Sequence, residues 1–174
     1  MTLRLPDSLE LGGQSLRLRP WSPIDIEELT WIWQDDELQR RFGVEPPVTR
    51  EAITAYVEGL TDRWRDGLQI SLAVVADGTL VGGCDLDHLD TDCPDLGYWI
   101  AAPARQQGFA TRAARALLDW ATSNLELGVV HIEVEPDNAV SIAVAERLGF
   151  TRVVGVDRTD GARRLAVYGL RVSR

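Results

Sequence analysis

The chain has 174 residues, 45% of them hydrophobic, with 27 acidic side chains against 18 basic ones, and every basic one is arginine. That apolar content excludes bulk disorder, and a net charge of −9 with a pI near 4.7 argues against nucleic acid or anionic lipid as partners. No apolar run approaches the roughly 20 residues of a membrane span, and Met1-Thr2-Leu3-Arg4-Leu5-Pro6-Asp7 lacks a signal-peptide core, so a soluble cytoplasmic protein is expected.

Residues 1–13 read as a loosely held arm and residues 14–174 as a single domain. Residues 14–19 alternate polar with apolar (Leu16, Leu18) and form a strand stopped by Pro20. Ser22-Pro23-Ile24-Asp25 starts a helix, with a hydroxyl cap, proline in the first turn and an acid at the third position, and the helix runs on through Leu29 and Trp33. Pro46-Pro47 breaks the chain, and Thr49 caps a second helix with Ile53, Tyr56, Val57, Leu60 and Trp64 at helical spacing. Residues 68–76 and 79–87 flank Asp77-Gly78, a strong hairpin signal. A strand at 96–101, a helix at 108–123, a strand at 129–134 and a helix at 138–148 follow, the last stopped by Gly149. Two strands at 152–157 and 164–172 close the chain around Asp160-Gly161. The order is βααββ, then βαβα, then ββ: a mixed α/β (α+β) sheet of about seven strands with helices on both faces.

The most informative stretch is Leu96-Gly97-Tyr98-Trp99-Ile100-Ala101-Ala102-Pro103-Ala104-Arg105-Gln106-Gln107-Gly108-Phe109-Ala110-Thr111. A buried strand runs out and delivers a small-residue loop onto a helix start. Unpaired N–H groups and a partial positive charge make such a helix start suited to anions. Gly108 and Ala110 keep the backbone approachable. From residue 96 to 118 there is no acid, only Arg105, Arg112 and Arg115, which favours a polyphosphate.

Arg105-Gln106-Gln107-Gly108-Phe109-Ala110 resembles the Arg/Gln-x-x-Gly-x-Gly/Ala signature of the GNAT superfamily of N-acetyltransferases. Asn138-Ala139-Val140-Ser141 with Ala145-Glu146-Arg147-Leu148-Gly149-Phe150 resembles that family's second motif. Leu16-Arg17-Leu18-Arg19-Pro20, Leu80-Val81-Gly82-Gly83 and Gly97-Tyr98-Trp99-Ile100 resemble its RimJ/RimL-type branch. The resemblance implies a splayed V between the two middle strands, which the pantetheine arm of acetyl-CoA fills like an added strand. Trp99, Ile100 and Ala101 are then expected to orient pantetheine. The amides of Arg105, Gln106, Gln107, Gly108, Phe109, Ala110 and Thr111 would cradle the diphosphate. Asn138 would reach the cosubstrate from the next helix, besides capping it.

Many GNAT enzymes protonate the departing thiolate with a tyrosine; the matching position here is Ala145. The RimJ/RimL-type branch is similar in placing a serine where Ser141 stands, so Ser141 is expected either to bond the thiolate or to cap its helix. The acceptor amine needs a base. Candidates are Asp95, Glu133, Glu135, Asp85, Asp87 and His88, with Asp95 first because similar family members often carry an acid at that point. The rest of the proposed chemistry is direct attack in a ternary complex, with backbone donors near the splayed strand steadying the thioester oxyanion. A non-catalytic acyl-CoA-binding regulator and a transferase using a longer donor such as succinyl-CoA are the alternatives.

No metal is expected. Asp85-x-Asp87 with Asp90 and Asp92 lacks the calcium-loop glycine and twelfth-position acid, and Cys84, His88 and Cys93 lack a Cys-x-x-Cys pair. The two cysteines are too few for a disulfide framework. Absent lysine reads as the codon usage of a GC-rich bacterial genome. Charge divides by half: residues 1–95 carry 8 Arg against 19 acids, a net of −11, and residues 96–174 carry 10 Arg against 8, a net of +2. A negative acceptor half suits a cationic primary amine: a protein N-terminus, a polyamine or a small metabolite. Oligomeric state stays open, with a homodimer through the apolar helices or last strands as one option.

Overall fold

The computed structural model describes residues 5–13 and 15–172, and the expected strand start at Gln14 and the first four residues of the arm lie outside them. Its centre is β3 (Ile70–Ala76), buried along its whole length because its side chains alternate between two helical layers. β4 (Thr79–Asp87) returns antiparallel through the Asp77-Gly78 turn, where φ is +47° and +84° as a type I′ hairpin requires. β2 (Leu16–Pro20) flanks β3 on its other side, and β1 (Leu11–Gly13) pairs antiparallel with β2. The last three residues of the expected arm thus form an eighth strand, beyond the seven read from the sequence.

On the far side of β4 lies β5 (Asp95–Ile100), then β6 (Val129–Val134), β8 (Arg163–Arg171) and β7 (Thr151–Asp160) at the edge. Every neighbouring pair is antiparallel except β5 and β6, which are parallel and share one bridge, Asp95 with His131. The expected splay between the middle strands is therefore present.

Two helices cover one face. α4 (Phe109–Asn124) buries Ala113, Ala114, Leu117, Leu118 and Ala121, and α5 (Ala139–Leu148) buries Val144, Ala145 and Leu148, against Leu72, Val74, Leu86, Leu96, Val130 and Ile132 of the sheet. The other face is covered by α1 (Ile26–Ile32), α2 (Asp36–Phe42) and α3 (Arg50–Arg65), which enclose Ala73, Val75, Leu80, Trp99 and Ala101.

The first helix is shorter than its pattern suggested. It ends at Ile32, Trp33 being its C-cap, and α2 follows as a separate helix of about two turns. Asp35 starts α2 by accepting from the amides of Glu37 (2.8 Å) and Leu38 (3.0 Å). Acids in its first turn, Arg40 and Arg41 in its last and Gly43 beyond complete the pattern. Of the helical tryptophans, Trp33 is in the core at 5% exposure and Trp31 stands 66% exposed. Trp64 donates from Nε1 to the Pro6 carbonyl (2.8 Å), which holds the arm on α3.

The chain enters this layer through a buried ion pair. Arg19 at the end of β2 donates two bonds of 2.7 Å to Asp25, which is 3% exposed and also accepts from the Ser22 amide (2.9 Å). Removing one partner strands the other charge away from water. Asp25→Ala is expected to cost about 3 kcal/mol, read as a lower urea midpoint with an unchanged slope.

Candidate active site

Where β5 leaves β6, its backbone loses a partner. The Ala101 amide donates to Val81 O (2.9 Å), and the register pairs Trp99 with Gly83 and Gly97 with Asp85. Bonding in an antiparallel pair alternates, so Gly97, Trp99 and Ala101 turn their polar groups to β4. Tyr98 and Ile100 turn theirs toward the gap. Of the three residues expected to face a ligand through their backbone, Ile100 is so placed and Trp99 and Ala101 are not. The Trp99 side chain is 6% exposed, stacked on Trp21 (6.2 Å) and edge-on to Trp33 (5.6 Å).

Beyond the strand, the loop at residues 105–108 delivers α4. Gln106 (φ +64°) and Gly108 (φ +75°) both take the left-handed conformation, which turns successive amides to one side. Gly108 caps the helix with no side chain over it, and the first turn holds no acid. The first helical bond of α4 is Arg112 N to Gly108 O (3.1 Å), so the Phe109, Ala110 and Thr111 amides have no helical acceptor. Gln107 folds back on Pro103 O (3.3 Å).

The arginines divide. Arg105, expected at the loop's anion site, donates to Ile100 O (3.2 Å), Glu37 (2.7 Å) and Asp35 (3.0 Å), so its guanidinium ties the loop to α2. Arg112 lies over the Phe109 ring (5.7 Å) and reaches Ser15, and Arg115 donates to Arg147 O (3.1 Å) at the end of α5.

On the α4–α5 face, α5 closes the gap. Asn138 caps it, its Oδ1 accepting from the Ser141 amide (3.1 Å). Tyr98 crosses from β5, its hydroxyl 3.0 Å from Ser141 Oγ and 3.1 Å from Ser141 O. Burial pushes the Tyr98 phenol up to about 12, with the Ser141 bond opposing, so it stays protonated at neutral pH. Tyr98 was not singled out from the sequence; alternation along 95–100 could have placed it on the face of α5.

The opposite face gathers the acids. Asp95 and Glu133 share Arg158 of β7, the Asp95 bond being 3.1 Å, and the second Asp95 oxygen is buried without a partner. Glu135 is held by Arg41 and Arg163, whose charges keep it below the usual carboxylate range against the opposing effect of burial. Asp87 is held by Arg63. Asp85 stands apart: among the described residues its side chain has one hydrogen bond, a 3.5 Å contact from Gln69, and no arginine within ion-pair distance. Burial, then the charge of Asp87, push it up to about 7. His88 lies on an exposed turn at φ +57°. Above these acids stand Trp33, Phe42 (5.4 Å from it) and Tyr56 (6.4 Å), the last two roughly 40% exposed.

A family model described as an acetyltransferase (GNAT) domain matches residues 15–151. The chain belongs to the GNAT acetyltransferases. YdaF of Bacillus subtilis, which carries the name of a ribosomal N-acetyltransferase, is 37% identical over 149 residues, or 79% of each chain. Among solved GNAT-fold structures, RimJ of Mycobacterium smegmatis, in complex with a coenzyme A disulfide, superposes with a TM-score of 0.80 at 22% identity over 94% of this chain and 86% of that one. The microcin C7 self-immunity acetyltransferase MccE, in complex with acetyl-CoA and AMP, gives 0.78 at 16% identity over 92% and 94%. The RimJ/RimL-type character read from the sequence agrees with this company.

In this GNAT chain the gap thus has two chemically distinct walls. One carries a hydroxyl pair, Tyr98 and Ser141. The other carries carboxylates beneath an aromatic rim. The room for Asp85 comes from Gly97 beside it on β5: a Cβ there would stand 2.7 and 2.9 Å from the two Asp85 oxygens. Gly97→Ala is therefore expected to lower stability by about 1–3 kcal/mol, as overpacking does, measured as a fall in melting temperature.

Proposed function

We propose that the protein transfers an acetyl group from acetyl-CoA to a cationic primary amine, by direct attack in a ternary complex. The observation that carries this reading is the inner edge of β5, which faces no strand among the described residues beyond the Asp95–His131 bridge, leading into the free amides of the α4 start. The two fit the two halves of the donor. An extended amide-bearing arm would bond to Tyr98 and Ile100 in the manner of a strand. A diphosphate would sit on the amides of Gly108, Phe109, Ala110 and Thr111, with the backbone of Gln106 and Gln107 completing the cradle. Nothing lies within 4 Å of a Cβ built at Gly108, so this approach is open. Arg105 would then act by shaping the loop, while the Asn138 side-chain amide and Ser141 would meet the sulfur end. Trp99 and Ala101 would keep β5 bonded to β4.

The acceptor enters from the opposite face. The acids there, and the rim of Trp33, Phe42 and Tyr56, suit an ammonium group, which both carboxylates and aromatic faces attract. A protein N-terminus fits the name of YdaF; a polyamine or small amine fits the charge equally. The domain reading is one acetyltransferase unit from about residue 14 onward, and among the described residues no helix is long and apolar enough to cross a membrane.

Free-thiol release with an amine panel tests the reading. Turnover with acetyl-CoA, faster for basic than for acidic acceptors and faster than with succinyl-CoA, is the expected result. Coenzyme A binding without thiol release from any amine would overturn it. Two variants sharpen the site. Gly108→Val forces a branched side chain into the left-handed region, which costs about 1–3 kcal/mol and is expected to weaken coenzyme A binding about tenfold by calorimetry. Ser141→Ala is expected to lower kcat about tenfold or more with coenzyme A affinity held.

A further inference from the structure

Three strands place their side chains in one row across the acceptor face. Ser71 of β3 pairs with Asp85 of β4, and Asp85 pairs with Gly97 of β5. Ser71 is occupied by the Trp21 indole, which donates to its Oγ (3.0 Å). Gly97 offers no side chain. The Asp85 carboxylate therefore leans over β5 at the point where that strand has just left β6. The next residue, Tyr98, points to the other face and meets Ser141. One residue step along β5 thus separates a carboxylate on one side of the gap from a hydroxyl pair on the other.

We propose that Asp85 is the catalytic base, taking the proton of the attacking amine, while Ser141, backed by Tyr98, supplies the proton to the leaving sulfur. This assignment rests on the acetyl-transfer reading above. The amine lone pair forms the C–N bond with the thioester carbonyl carbon, and the C–S bond breaks with its electrons passing to sulfur. The acceptor enters as an ammonium, so the Asp85 carboxylate takes one proton before attack, directly or through one water, and hands it to solvent; the N–H proton lost from the tetrahedral adduct follows the same route. The sulfur takes the Ser141 hydroxyl proton as Tyr98, donating to Ser141 Oγ, replaces it, and the pair is reprotonated from solvent. Asp95 holds a different place: it is fastened to Arg158 together with Glu133, and its part is to anchor the β7–β8 hairpin against the acceptor wall.

The groups facing Asp85 set its titration. Asp87 on its own strand and Asp95 on β5 raise it, Gln69 and Arg63 lower it, and Cys84 and Tyr56, both themselves pushed up, stand neutral beside it. Burial and the neighbouring acids prevail, which keeps the carboxylate half-protonated near pH 7. A base must be deprotonated, so kcat/KM should rise with pH through about 7 and level off above it.

The test is a pH profile of kcat/KM for thiol release by the full chain with a basic amine held below its KM, together with coenzyme A affinity. Asp85→Asn should lower kcat/KM on the order of 100-fold and abolish the limb near pH 7, with coenzyme A affinity within about threefold and the melt retained. Asp87→Asn keeps Asp85 but removes the charge that raises it, so the limb should move to lower pH. Asp95→Asn should keep the limb and move it to lower pH by less than Asp87→Asn does, since Asp95 is the smaller of the two raising charges. An Asp85→Asn enzyme that keeps the limb, an unmoved limb in Asp87→Asn, or a limb lost in Asp95→Asn overturns the assignment while leaving the acetyl-transfer reading standing. Wild-type protein that binds coenzyme A and releases no thiol with any amine overturns both.

Discussion

The arrangement depends on a strand that is bonded on one side only. β5 is stitched to β4 over six register pairs, and β6 is stitched to β8 over another six, but β5 and β6 meet at a single bridge. Trp99, wedged between Trp21 and Trp33, holds β5 toward β4, and α5 packs behind β6. Backbone N–H and C=O groups left inside a protein must find partners. Here they line a slot in the middle of a sheet, where a ligand with its own amides can complete the ladder. The helix start at Gly108 and the cap of α5 at Asn138 both open onto the same end of that slot.

Alternation along β5 then sorts the chemistry. Asp95, Gly97 and Trp99 face the α1–α3 layer, and Leu96, Tyr98 and Ile100 face α4 and α5. The acids of the α1–α3 face are mostly matched with arginine, which keeps their oxygens occupied. Asp85 is placed where burial outweighs Coulomb attraction. The carboxylates of this face thus differ in local pairing. The net charge of the acceptor half describes the approach to the site; the pairing describes the site itself.

Features that rest on neighbours in sequence were legible. The Asp77-Gly78 turn, the Thr49 and Asn138 caps, the Gly108 helix start and the Asp160-Gly161 turn between the last two strands are each written in a few adjacent residues. α2 escaped notice because seven residues give barely two turns of periodicity, although Asp35, the acids after it and Gly43 mark its ends. The partners of the charged groups could not be read this way. Arg105 meets Glu37 and Asp35 from 68 and 70 residues away, and Arg158 meets Asp95 from 63. Both pairings bear on a candidate: the Arg105 guanidinium ties the loop to α2, and one Asp95 oxygen is engaged by Arg158. Glu133, Glu135 and Asp87, also candidate bases, lie in arginine clasps. Tyr98 was hidden differently, because it belongs to a strand whose apolar character drew attention to its backbone.

The tether at Arg105 has a mechanical meaning. Its guanidinium is part-exposed, as are both its acids, so each ion pair by itself is worth about 1 kcal/mol or less. Yet one rigid fork grips the last carbonyl of β5, the N-cap of α2 and the first turn of α2 together. Loop and helix consequently share a single hinge point, and neither can shift without dragging or releasing the other. The loop that starts α4 and the first turn of α2 are spliced by three nitrogens on a single plane.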